Sequence, residues 1–495
     1  MQIGTGHVMR CLALAQTWQD AGGEVLFVLV SSVPALDTRL KAERLDVVHL
    51  ASEAGSADEA KQTLALASSR GAVWMVADGY QFGAQYQRAI KQAGLHLLFV
   101  DDYGHASPYS ADVILNQNIY ADQSLYFERA PDTHLMLGTS YALLRREFWP
   151  WCGRRHDTPA LARKVLVTLG GGDPDNMTLK VIRAMQQIEI DELEAIVVIG
   201  YGNPHLETLA AEVRNAKSNV RLVSQAENMP EIMAWADVAI SAGGTTNWEL
   251  ASMGVPNLVV VLADNQRAIA AGLARAGVAI DLGWFKHISD KQIAKALESL
   301  LLAEEQRFNM SELGQRLVDG KGALRVRRHL MGAVFRLRRV LETDCHLLWD
   351  WANEPAVRAS ALSSKPIPWD EHVEWFHGKL QDPNCLMFIA LDDHDTPVGQ
   401  IRFDVENHQA AVDVSIEKRR RGAGYGSQII RIATDEIFRT TGVRAVHAFV
   451  KSDNQESIGA FEKANFRRLW VETVRSHIGI HLIKRKTLDE CGTDT

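Results

Sequence analysis

Apolar residues fall along this chain in two different patterns. Over the first two thirds, short continuous runs rich in Val, Ile and Leu alternate with stretches of helical periodicity. The runs lie at 24–30, 73–77, 96–100, 112–115, 164–169, 195–199, 237–241 and 257–262. Continuous rather than alternating apolar character predicts parallel strands covered by helices on both faces. The stretch WPWCGRRHDTP at 149–159 is polar, holds two prolines and interrupts the alternation. It predicts a connection between two doubly wound units. A second break falls at 319–322, Asp-Gly-Lys-Gly, and residues 324–339 then carry six arginines, which predicts a solvated face with a linker. From Phe335 the order becomes a strand-like FRLRRV, a helical ETDCHLLWDWAN, and antiparallel-looking strands at 387–391, 398–405 and 411–416. That is an α+β pattern. The expectation is an α/β chain of two Rossmann-like domains, 1–150 and 151–325, followed by an α+β domain over 335–488.

The length of 495 residues agrees with about three domains at ~150 residues each. With 46% hydrophobic and 23% charged residues the composition is that of a globular protein. A net charge of −8 argues against a nucleic-acid partner. No apolar run reaches the ~18–20 residues that span a bilayer, so no membrane partner is expected. The first residues lack the basic segment and apolar stretch of a secretory signal. The cysteines, Cys11, Cys152, Cys345, Cys385 and Cys491, are odd in number and scattered, which predicts neither a disulfide framework nor a zinc site. A reducing cytoplasmic location and no metal are expected.

Chemistry gathers at glycine loops. Gly4-Thr5-Gly6-His7 runs into an amphipathic stretch with Val8, Leu12 and Ala15 on one face. Such a turn offers free N–H groups to an anion. The positive end of the helix dipole disfavours imidazolium, so His7 should remain a neutral base. Gly170 and Gly171 follow the strand KVLVTL, where α/β sheets form their ligand crevice. Gly243, Gly244, Thr245 and Thr246 follow DVAIS and open a helix, offering N–H and hydroxyl donors to phosphate, with Glu249 one turn in and placed to accept from ribose hydroxyls. Asn265 and Gln266 follow PNLVVVLA. Asp78, after VWMVA, and Tyr103, in the DDYG segment, face the same predicted crevice and are candidate substrate-side residues. Turn formation and helix capping are the structural alternatives for these acids and amides.

In this order, GTGHVMRCLALA, DGYQF, DDYG, LVTLGGGDPDN, ISAGGTTNWELASMGVP and LADNQ resemble the nucleotide-sugar hydrolase of pseudaminic acid biosynthesis. That family removes UDP from UDP-2,4-diacetamido-2,4,6-trideoxy-β-L-altropyranose on a two-Rossmann, GT-B-like fold. The resemblance covers about residues 1–325. It implies that His7 activates water and that the Gly243–Thr246 loop with Glu249 binds UDP. It further implies that Asn265-Gln266 form a substrate-side loop, and that the anomeric centre inverts without a metal. The family carries a strand before the first glycine turn, whereas only Met1 and Gln2 precede Ile3. The expectation is a start codon called late and a first strand lacking from the sheet.

Near the other end, the strand AVDVSI leads into EKRRRGAGYG and the helical SQIIRIATDEIF, matching R-x-x-G-x-G with Arg421, Gly424 and Gly426. Strand, glycine turn and helix N-terminus form a nest for a pyrophosphate. With DNQESI and AFEKANF after the strand VHAFVK, these motifs resemble the GNAT acetyltransferases over about 335–488. The resemblance implies acetyl-CoA as co-substrate, bound by Val414, Ile416, Arg421, Gly422, Gly424, Tyr425 and Gly426, with Asn454 near the pantetheine arm. Phe461 stands near the position where many of these enzymes carry a proton-donating tyrosine, and Phe cannot donate. ETDCHLLWDWANEPAVR further resembles the acetyltransferase of the same pathway. The expected protein is bifunctional, with a UDP-sugar and acetyl-CoA as its partners. A GT-B glycosyltransferase, or a UDP-sugar sensor with a protein-acetylating domain, are the competing readings.

Overall fold

Runs of apolar and β-branched residues become parallel strands through the first two thirds of the chain. The computed structural model describes residues 5–486 apart from 201, 216–218, 225, 227, 332–334, 362–363, 393–394, 422–424 and 475–476. Gly4, Gly422 and Gly424 therefore lie outside the described residues, as does Cys491. Contacts divide the chain into two compact units, Met1–Arg327 and Arg328–Thr495.

In the first unit, β1 (Leu26–Leu29) and β2 (Asp46–His49) form a small parallel sheet. β3 (Trp74–Asp78), β4 (His96–Val100), β5 (Val113–Asn116) and β6 (His134–Leu137) pair in chain order as a second parallel sheet. Among the described residues no strand joins the two. The first helix, Thr5–Gln19, packs Val8, Leu12 and Ala15 onto Leu36, Leu40 and Leu45, so the apolar face read from the sequence is the buried one.

The third sheet has six parallel strands. They are β7 (Lys164–Thr168), β8 (Glu194–Ile199), β9 (Asn219–Ser224), β10 (Val238–Ala242), β11 (Asn257–Val261) and β12 (Ala279–Trp284), in the order β12-β11-β10-β7-β8-β9. Chain order reverses between β7 and β10, and at such a switch point the strand ends leave a crevice. Helices Met177–Met185 and Asp290–Leu302 cover one face, and Thr246–Ser252 and Arg267–Arg275 the other. The arginine-rich stretch is not uniformly solvated. Arg325 is 3% exposed, donates to the Ser140 carbonyl and pairs with Asp319.

The second unit is one mixed sheet of β13 (Arg336–Arg339), β14 (Cys385–Leu391), β15 (Pro397–Glu406), β16 (Gln409–Ile416), β17 (Ala445–Lys451), β18 (Arg467–Val474) and β19 (His477–Arg485). Its order is β13-β14-β15-β16-β17-β19-β18, antiparallel except where β16 meets β17. Helices Tyr425–Thr440 and Gln455–Lys463 pack on one face, and Cys345–Asn353 and Trp369–Gln381 on the other. β16 and β17 pair only from Gln409–Ala411 to Ala445–His447 and then part, leaving a V-shaped opening.

Candidate active sites

The first helix aims its N-terminal turns at the carboxyl ends of β3 and β4, and polar residues meet there. His7 Nδ1 lies 2.6 Å from Asp78 Oδ1. Arg10 donates through Nε and Nη2 to the two oxygens of Asp78, both at 2.6 Å, and through Nη1 to Asp102 Oδ1 at 2.8 Å. Asp102 also accepts from Tyr80 Oη at 2.9 Å and Asn118 Nδ2 at 2.9 Å. Burial opposes ionisation of Asp78, but the Arg10 guanidinium and the hydrogen bonds from Arg10 and His7 overcome it and hold the carboxyl well below its usual range. Asp102 is held down the same way, burial being outweighed chiefly by Arg10. An ionised carboxylate only accepts, so the short contact places a proton on His7 Nδ1, and in the neutral ring it is then Nε2 that carries the lone pair. Arg10 Nη2, 3.1 Å from the same Nδ1, therefore makes no hydrogen bond with it.

This arrangement revises one role. The position of Asp78 after β3 makes it a candidate substrate-side residue, but its side chain turns to the histidine. Its side chain is 3% exposed, and both oxygens are occupied by His7 and Arg10. It orients the histidine. Tyr103 remains 47% exposed, presented by a turn in which Asp101 accepts from the Tyr103 and Gly104 N–H groups, and its ring leans on Tyr80. Arg10, Tyr80 and Asn118 were not recognised from the sequence. Arg10, one turn after His7 within the quoted GTGHVMR motif, was the signal available for the first.

The loops of the third sheet face this cluster. A Cβ on Gly6 would lie 3.7 Å from Thr245 Oγ1. Asn265, from the loop after β11, lies near the Tyr80 hydroxyl and partly offsets the rise that burial and Asp102 impose on its pKa. The glycine loop after β10 rests on a buried polar scaffold. Asn257 donates to Ser241 Oγ and Asn247 Oδ1, and Asn247 donates to the carbonyls of Ala242 and Gly244, each at 2.8 Å. The expected donors narrow as a result. Gly243 N–H donates to the Val260 carbonyl and Gly244 N–H to the Ala242 carbonyl. Both are already used, so among the described residues Thr245 and Thr246 are the loop positions left to offer N–H and hydroxyl groups to an anion. Gly243 is needed for space, since a Cβ there would sit 2.8 Å from Gln266 Cβ. Gln266 accepts from Leu262 N–H at 2.9 Å, which shapes its own loop. Glu249 Oε1 accepts from Arg145 at 2.9 Å, so one of the two oxygens expected for ribose is already paired. Gly170 takes φ +90°, and Gly171 packs so closely that a Cβ on Gly200 would lie 2.4 Å from its Cα. Both follow β7 directly, beside β10 and its loop.

In the second unit the expected residues separate into two groups. Val414 and Ile416 line β16 beyond its last pairing with β17, and Gly426 leaves 3.8 Å to Ile416 at the start of the helix. These remain beside the opening, as does Tyr425, whose ring meets Phe335. Arg421 is different. It donates to the Ile416 carbonyl at 3.0 Å and pairs with Glu354 at 2.5 Å, so its guanidinium braces the turn. Asn454 Oδ1 caps the helix Gln455–Lys463 by accepting from Ser457 N–H. Phe461 is 3% exposed and packs on Phe466 in the core. Among the described residues no group of His, Cys, Asp and Glu is arranged to hold a metal, and no helix is long and apolar enough to cross a membrane.

Comparison with known proteins agrees with this division. Residues 165–321 match the family model of the glycosyltransferase family 28 C-terminal domain, and residues 335–467 that of the acetyltransferase (GNAT) domain. The UDP-2,4-diacetamido-2,4,6-trideoxy-beta-L-altropyranose hydrolase of Campylobacter jejuni is 25% identical over 287 residues, covering 57% of this chain and 95% of that protein. An uncharacterized protein of Methanocaldococcus jannaschii is 20% identical over 488 residues, 94% of this chain and 95% of that one. The chain is a fusion of a hydrolase-like part, GT-B-like in fold, with a GNAT acetyltransferase domain. The spore coat polysaccharide biosynthesis protein SpsG of Bacillus subtilis is 31% identical over 233 residues, which make up 46% of this chain and 67% of that protein. The chain belongs to the SpsG family.

Proposed function

We propose that the first unit hydrolyses UDP-2,4-diacetamido-2,4,6-trideoxy-β-L-altropyranose to UDP and the free sugar. The second unit transfers an acetyl group from acetyl-CoA to the 4-amino group of the preceding UDP-amino-sugar. The observation that carries the hydrolytic reading is the 2.6 Å contact of His7 Nδ1 with Asp78, which leaves Nε2 as the base. Nε2 takes a proton from water as the water oxygen attacks the anomeric carbon. The bond from that carbon to the diphosphate oxygen breaks, and UDP carries away the electron pair. Thr245 and Thr246 supply donors for the diphosphate, and Glu249 keeps Oε2 outside its ion pair with Arg145, available to a ribose hydroxyl. The name of the Campylobacter relative and the pairing of the two domains support this substrate, because the acetylated product of one is the substrate of the other.

The glycosyltransferase model over 165–321 favours one competing reading, transfer of the sugar to an acceptor. Incubating the full chain with UDP-4-amino-4,6-dideoxy-N-acetyl-β-L-altrosamine and acetyl-CoA separates the two. Mass spectrometry should find the free diacetamido sugar, UDP and CoA. An acetylated UDP-sugar that stays intact until an acceptor is added would overturn the hydrolytic reading.

A further inference from the structure

The opening of the second unit's sheet carries a pair of histidines with no role in the reading above. Beyond Ala411 and His447, β16 and β17 are no longer partners. Paired with β15 on its other side, β16 from Val412 to Ser415 has no strand partner toward the gap, a geometry that pairs with an extended chain bearing amides. The pantetheine arm is such a chain. Laid along this edge, it would bring its thioester near the point where the strands rejoin, at His447.

His447 faces away from the helices Tyr425–Thr440 and Gln455–Lys463. Its neighbours Val446 and Ala448, with Val450, pack into that core, so His447 and Phe449 point to the opposite side. There His447 Nδ1 lies 2.8 Å from His481 Nε2. Phe449 stacks on His481 at 4.4 Å and Trp470 meets it edge-on at 4.6 Å, and both aromatic rings are about half exposed. His447 Nε2 is buried from solvent and has no hydrogen-bond partner among the described residues, a polar atom left to be satisfied by something bound there. A hydrogen bond between two imidazoles needs one N–H and one lone pair. The pair can therefore take up one proton and stay linked, but not two. Burial first, then His481 and Arg485, lowers the His447 pKa from its ordinary value and favours the neutral ring. Asp413 lies on the same face of β16, two positions beyond Ala411, and Lys451 on the same face of β17 donates to the Ala359 carbonyl.

We propose that His447, with His481 behind it, is the base that takes the proton from the acceptor amine in the acetyl transfer. The inference rests on the acetyltransferase reading above. The acceptor arrives as an ammonium and gives one proton to His447 Nε2. Its lone pair then forms the C–N bond at the thioester carbonyl carbon. As the C–S bond breaks, the thiolate leaves with the electron pair and takes the second nitrogen proton, giving an amide and CoA thiol. The proton held by the histidine pair passes to solvent.

The test uses the full chain with His447→Gln and, separately, His481→Gln. Acetyl-CoA binding is measured by calorimetry, and thiol release is followed with acetyl-CoA and the UDP-4-amino-sugar from pH 6 to 10. For His447→Gln we expect acetyl-CoA affinity within about twofold of wild type and a kcat about 100-fold lower near pH 7, with the deficit shrinking as the amine loses its own proton at high pH. For His481→Gln we expect a smaller loss and a displaced acid limb of the profile. A kcat within about threefold of wild type near pH 7, or a deficit of the same size at every pH, would overturn the proposal. Loss of acetyl-CoA binding in both variants would do so too, by assigning the pair to the fold. If the wild-type chain itself binds no acetyl-CoA, the acetyltransferase reading falls, and this inference with it.

Discussion

His7 and Asp78 stand 71 residues apart in sequence, yet Nδ1 of one is 2.6 Å from Oδ1 of the other. The carboxylate fixes the tautomer and stabilises the imidazolium that forms when water is deprotonated. Asp78→Asn should lower kcat for UDP release about 10²–10⁴-fold with little change in KM. Acetylation of the 4-amino-sugar by the same variant should be normal. A coupled UDP assay beside a CoA assay checks both; parallel loss in the two would contradict the assignment.

Arg10 bridges two carboxylates with buried side chains, Asp78 and Asp102. Removing it leaves Asp78 with only the His7 contact and Asp102 with only the hydrogen bonds from Tyr80 and Asn118. Arg10→Met should cost the first unit about 3–5 kcal/mol of stability, read as a lower urea midpoint. Adding Asp102→Asn to Arg10→Met should recover part of the loss, since one orphaned charge is then gone.

Asp78 and Asp102 are both held below their usual range, burial being outweighed by Arg10. A carboxyl depressed in the folded state stabilises it fully above its unfolded value, and that contribution fades as pH falls through the folded value. The unfolded carboxyl titrates near 3.9. Stability of the first unit should therefore hold steady from these groups above about pH 5 and drop below about pH 4. Asp78→Asn should flatten that acid limb in urea titrations repeated across pH.

Two adjacent glycines should respond differently. A Cβ on Gly243 would press on Gln266, whereas one on Gly244 meets nothing within 4 Å. Gly243→Ala should cost about 1–3 kcal/mol through overpacking and weaken UDP binding, while Gly244→Ala should be near neutral. Thr245→Val and Thr246→Val should each weaken UDP binding about tenfold, the worth of a hydrogen bond to a charged group. Calorimetric titration with UDP measures all four; equal effects of the two alanines would remove the packing argument.

Asn265 and Tyr80 lie near one another where the two halves of the first unit meet, Asn265 partly offsetting the raised pKa of the Tyr80 hydroxyl. In a double-mutant cycle with Tyr80→Phe and Asn265→Ala, KM for the UDP-sugar should show a coupling of about 0.5–1.5 kcal/mol. Strict additivity would mean the two act apart during binding.

The sequence revealed motifs that converge on one place, but not what each residue does there. Strands with continuous apolar runs were legible because they are covered on both faces. In the first unit the missed strands are β2, β6, β9 and β12, and each lies at a sheet edge. An edge strand is covered less, so polar residues such as Asp46, Arg221 and Asp281 break its apolar run. The same limit applies to the site. Spacing placed His7 and Asp78 at one crevice, but which carboxylate faces the histidine depends on how β3 and the first helix meet. Likewise, that Gly243 and Gly244 N–H groups are consumed by backbone carbonyls follows from the path of the loop, which composition does not encode.

The division of the first unit's sheet has a consequence for behaviour in solution. Among the described residues β1 and β3 each have a single strand partner, so each has an edge that another extended segment can zip onto. On β3 that row is flanked by Val73 and Val76, 63% and 39% exposed, which makes it adhesive as well as unpaired. The net charge of −8 is a property of side chains and does little to shield a naked backbone. Self-association of this protein should therefore respond weakly to salt and strongly to a single proline placed in β3, where it would remove an edge donor.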